Sequence, residues 1–203
     1  MLEIIPDDIR IKKNTANKIE MILNSPNDNR RKLILVLNMI DYEKHQHLAL
    51  DFAEHLLHTV DNSEELNPEL LNAIRVGRQH LFSQMDIDIV DQTRKGLQLI
   101  SDTSPNTIIP NAKWSKLVDA VHMAFLVATR FELHSRGKIN GLNGKRPDAR
   151  DISDIVAEAA SLRTLSTNSK LIASNEQDPK AKYTASEVER SWQLKRISFY
   201  YAD

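Results

Sequence analysis

The 203-residue chain contains no cysteine. That excludes disulfides, thiolate metal sites and thiol nucleophiles. Glycine is scarce: there are five, and three of them fall between Ser135 and Asp148. With so few turn formers and no polar–apolar alternation, strands and hairpins have little support. Long apolar runs are missing as well. The longest, Val121–Thr129, is interrupted by His122 and is far too short to span a bilayer. The first residues, MLEIIPDDIR, lack a basic stretch followed by an apolar one, so no secretory signal is expected and the expected location is cytoplasmic. Excess charge of either sign is also absent. The net charge is −1, which argues against the chain as a whole being a nucleic-acid binder.

What is present is 41% hydrophobic residues, enough for one core of useful size. The expectation is an all-α bundle of about seven helices in a single domain, or in two packed halves meeting near 102–111. Helices are expected over Thr15–Asn24, from Asn27 or Asp28 to about Ile40, and over Tyr42–Val60. Asn67-Pro68-Glu69 reads as a cap, a first-turn proline and an early acid, opening a helix to Phe82. Others follow at Asp88–Ile100, Trp114–Ser135, Asp148–Leu165 and Thr184–Phe199. Trp114–Ser135 is apolar nearly all round between Val118 and Ala128, as a central helix would be. The 135–148 loop is expected to be mobile, and Ser166–Lys182 is polar with no clear pattern.

Charge is unevenly divided. Asp41–Asp102 holds twelve acidic and five basic residues, a net of −7, while the rest holds sixteen and twenty-two, a net of +6. Such asymmetry can steer a charged partner.

Four of the seven histidines lie in HQHLALDFAEHLLH, residues 45–58. On a helical wheel of about 100° per residue with His47 at zero, Glu54, His58, Asp51 and His55 fall between roughly −20° and 80°. The apolar residues occupy roughly 100° to 300°, while His45 lies apart near 160°, close to the helix start. His47, Asp51, Glu54 and His58 thus form one polar stripe, expected to face outward, with His55 an i, i+4 neighbour of Asp51. Three readings follow. The stripe could be a metal site, a solvated face, or a surface for a partner. Against a metal, the stripe lies opposite the apolar face, the Glu-x-x-His and His-Glu-x-x-His patterns are missing, and no second segment offers a matching ligand pair.

Other motifs fail on spacing. Gly141-Leu142-Asn143-Gly144-Lys145-Arg146 has two residues between its glycines where a phosphate loop needs four, and Arg146 stands where a hydroxyl is needed. No Gly-x-Ser-x-Gly occurs. His122 fits a core residue, and Trp114 and Trp192 fit packing anchors. Arg190, Lys195 and Arg196 give the last helix a basic face but lack the aromatic interleaving that stacks bases. No cofactor is expected, and no enzymatic activity.

Three segments add a resemblance: Ala53-Glu54-His55-Leu56-Leu57 on a helix that carries Leu48-Ala49-Leu50, Ala73-Ile74-Arg75-x-Gly77-Arg78, and Glu189-Arg190-Ser191-Trp192-Gln193-x-x-Arg196-Ile197. Together they resemble a family of helical immunity proteins that accompany the polymorphic toxins of bacterial competition, including contact-dependent growth inhibition. The resemblance implies a protein that binds one cognate toxin and blocks it without catalysis of its own. The acidic half would suit a basic toxin such as a nuclease. The interface is expected at His47, Asp51, Glu54, His55 and His58, supported by Glu64, Glu65, Asp86, Asp88 and Asp91. The alternatives are a metal-dependent helical enzyme using the same stripe, and a nucleic-acid-associated regulator using Lys145–Arg150 and the last helix.

Overall fold

A computed structural model gives the fold, describing residues 13–59, 68–83, 85–103, 110–139, 148–166 and 179–200. Among the described residues there are eight helices and no strand. They are α1 (Lys13–Leu23), α2 (Asn29–Leu37), α3 (Tyr42–Thr59), α4 (Pro68–Phe82), α5 (Ile87–Thr103), α6 (Pro110–Ser135), α7 (Ala149–Ser166) and α8 (Pro179–Ser198). The all-α expectation holds, with eight helices where about seven were expected.

Local chemistry explains the boundaries. The Asp28 carboxylate accepts a hydrogen bond from the Arg31 N–H at 2.8 Å and so caps α2. Proline stands at the first position of α4, α6 and α8, where its fixed φ suits a helix and its missing N–H costs nothing. Pro110 and Pro179 start α6 and α8 four and five residues before the expected Trp114 and Thr184. Gly137, at φ 67°, ends the turn after α6 in the left-handed conformation that glycine tolerates. Asn67, most of the 135–148 loop and most of Ser166–Lys182 lie outside the described residues.

α6 is the central helix, packed against α3, α4, α5 and α7. α7 also packs on α3 and α8, and α2 lies against α8. One core runs through all eight helices, from Ile19 on α1 to Ile197 on α8. Its largest fully buried side chains include Phe52, Phe125, Leu48, Leu50 and Leu133, each stabilising the fold by about 1.5–3 kcal/mol. α3 supplies Leu48, Ala49, Leu50, Phe52, Ala53, Leu56 and Leu57 to it, which is its expected apolar arc.

Two helical glycines contrast. A Cβ on Gly77 of α4 would lie 3.0 Å from Leu50 Cδ2 and 3.6 Å from the Phe125 ring, so glycine lets α4 seat closely on α3 and α6. A Cβ on Gly96 of α5 would meet nothing within 4 Å. Gly96 costs the helix about 1 kcal/mol relative to alanine and gains no contact inside the fold. Among the described residues no helix is long and apolar enough to cross a membrane.

Candidate functional site

Much of the polar side of α3 is turned away from water. Asp51 is 3% exposed. Its Oδ2 accepts hydrogen bonds from Arg196 Nε and from the Tyr200 hydroxyl, each at 2.7 Å. Its Oδ1 lies 2.9 Å from Arg78 Nη2, an ion pair that lacks hydrogen-bond geometry. The same Arg78 nitrogen donates to Glu54. One carboxylate therefore ties α3 to α4 and to the end of α8. Burial works to lower the Arg196 pKa, but Asp51 outweighs it and the pKa is raised. Burial, then Asp51, pushes the Tyr200 pKa up, which keeps the hydroxyl protonated as a donor.

His55 belongs to the same joint. Its ring stacks on Trp192 at 3.5 Å with only 4° between planes, and its Nε2 lies 3.4 Å from Glu189 Oε2. Glu189 is buried, and its Oε1 accepts from Gln193 Nε2 at 3.3 Å. Gln193 in turn accepts from the Ser153 hydroxyl at 2.6 Å, which extends the network to α7. His47 is buried with its ring 5.2 Å from that of Phe82.

These contacts correct the expectation of an outward stripe. His47 and Asp51 are buried, Glu54 and His55 are half-buried, and only His58 is exposed. The physical reason is that Arg78 and Arg196 arrive from other helices to neutralise the carboxylates. Arg78 and Arg196 also take the positions a cation would need beside Asp51. Among the described residues no three His, Asp or Glu side chains are arranged to hold a metal ion.

The supporting acids divide. Asp86 and Asp88 are exposed, with Asp88 2.7 Å from Lys138 Nζ. Asp91 is 5% exposed and paired with Arg94 at 2.9 Å and Lys95 at 2.8 Å. Burial alone would raise the Asp91 pKa, but those two cations overcome it and hold it low. Asp91 is thus corrected from a surface acid to a buried one. Glu64 and Glu65 lie outside the described residues.

The basic face expected on the last helix is also largely engaged. Arg190 reaches Glu187 and Asp154, and Arg196 reaches Asp51. The 140–147 stretch, with Lys145 and Arg146, lies outside the described residues, while Arg150 pairs with Asp148 and Asn38.

His45, at the start of α3, is 4% exposed. Its Nε2 donates to the carbonyl of Leu37 at 2.8 Å, with Ile40 O at 3.2 Å. Its Nδ1 accepts the Ala149 N–H at 3.3 Å. One neutral imidazole thus clips the end of α2 to the start of α7. Burial lowers its pKa against the raising effects of those carbonyls and Asp148.

The sequence pattern gave no reason to join Arg78, Glu189, Trp192, Arg196 and Tyr200 to Asp51. Yet the three segments that carry the resemblance meet in this joint, at Glu54–His55, Arg78 and Glu189–Arg196. No family profile, no curated protein and no solved structure matches this chain.

Proposed function

We propose that the chain is an immunity protein: a non-catalytic inhibitor that binds a cognate bacterial toxin with a basic active-site groove, a nuclease above all. The observation that carries the proposal is the uneven charge. The −7 segment keeps Asp41, Glu43, Glu69, Asp86, Asp88 and Asp102 exposed after Asp51 and Asp91 are neutralised internally. Acids held at the surface by a rigid bundle speed encounter with a cationic protein and favour it over anionic competitors. The resemblance points the same way. The binding surface is made of these exposed acids and not of the α3 stripe, whose charges hold the bundle together.

The test is co-expression with the product of the adjacent upstream gene. The two proteins should co-purify, and the chain should restore growth of cells expressing that toxin. Association should slow several-fold as salt rises or when Asp86, Asp88 and Asp102 are changed together to lysine. A neighbour that neither binds nor harms the cell sinks the proposal. Asp51→Lys is unsuitable for this test, because it would strike folding first.

A further inference from the structure

α5 is an edge helix that packs against α4 and α6. Val90 and Leu97 point inward and are buried. Its outer side carries Ile89, Gln92, Gly96 and Leu99, the i, i+3, i+7, i+10 spacing of one helix face. Ile89 and Leu99 are 45% and 63% exposed, and Gln92 and Gly96 are exposed too.

Two features of this face work against α5 as a helix. Gly96 interrupts it where alanine would be better, and no internal neighbour needs the missing Cβ. Asp102 sets a negative charge in the last turn, at the negative end of the helix dipole. Local choices that the fold does not repay mark function. A missing Cβ lets another backbone come close. Exposed acids stand at both ends of the helix, Asp86 and Asp88 at its start and Asp102 in its last turn, with Asp88 paired to Lys138. Lys95 is tied to Asp91.

We infer that the outer face of α5 seats a helix of the cationic toxin, with an apolar stripe on Ile89 and Leu99, its closest approach at Gly96, and lysine or arginine meeting Asp86 at one end and Asp102 at the other. A second copy of the chain is a poorer occupant. Antiparallel pairing would set Asp102 against Asp86 and Asp88, and parallel pairing would set each acid beside its duplicate. This inference rests on the toxin-inhibitor reading.

Titration calorimetry against a catalytically inactivated form of the upstream gene product tests it. Gly96→Gln, and separately Ile89→Ala with Leu99→Ala, should weaken binding about 30-fold or more. Thermal melts should show Gly96→Gln at least as stable as wild type, since the site is open. Variant affinities within about threefold of wild type overturn the α5 face and leave the inhibitor reading standing. A wild-type chain that does not bind overturns both. A wild-type dimer that Gly96→Gln converts to monomer names a second copy as the occupant and overturns the cationic partner.

Discussion

α3 and α5 carry similar residues on their polar sides, and the fold treats them in opposite ways. On α3, Asp51 and Glu54 meet Arg78 and Arg196 and are drawn into a joint between helices. On α5, Asp91 is buried between Arg94 and Lys95, but Asp88 and Asp102, with Asp86 just before the helix, stay at the surface beside Ile89 and Leu99, Asp88 pairing there with Lys138. The glycines repeat the contrast, with Gly77 filled by Leu50 and Gly96 facing open space. An acid on a helix face is therefore structural or available according to what reaches it from elsewhere in the chain.

The largest expected effect separates the two regions directly. Asp51→Ala strands two arginines around an empty position and should cost about 3–5 kcal/mol in urea unfolding. Asp88→Ala removes an exposed pair with Lys138 and should change stability by less than about 1 kcal/mol. Equal costs would break the comparison. Next come the glycines. Gly77→Val should lose about 1–3 kcal/mol by overpacking against Leu50 and Phe125. Gly96→Ala should gain about 0.5–1 kcal/mol. A loss at Gly96 would mean that its outer side is not open. Asp28→Ala, which removes only the α2 cap, should cost about 1 kcal/mol and serves as a local reference.

The pH dependence is the finest probe of the buried side. The folded-state pKa of His45 is depressed below its ordinary 6.5 by burial, and those of His80 and His122 are depressed by burial as well. As pH falls through about 6.5, the unfolded chain takes up protons that the fold resists, so stability present above that pH is lost toward acid. Urea midpoints should fall between pH 7.5 and 5.5, and His45→Gln should flatten part of the fall. A rise on acidification would contradict the buried, neutral imidazole.

Much of the fold was legible in the sequence. Apolar periodicity marks the helices, and Asp28 and Pro68 mark two of their starts. The wheel also separates the polar side of α3 from its apolar side. It does not distinguish a polar face that meets water from one that meets a cation, because both look the same along the helix. Asp51 and Arg196 are 145 residues apart, and Asp51 and Tyr200 are 149 apart. No local pattern links them. The aliphatic stem of Arg196 on α8 and the ring of Tyr200 just after it also leave no sign of which helix they will reach.

Local sequence determined the apolar and amphipathic segments, a few of their starts, and a charge divided between two parts of the chain, since helix formation depends on neighbours within a few residues. Tertiary structure alone decided which acids remain at the surface. A buried carboxylate survives only where donors converge on it. For Asp51 those donors come from α4 and the end of α8, and folding is what brings them together.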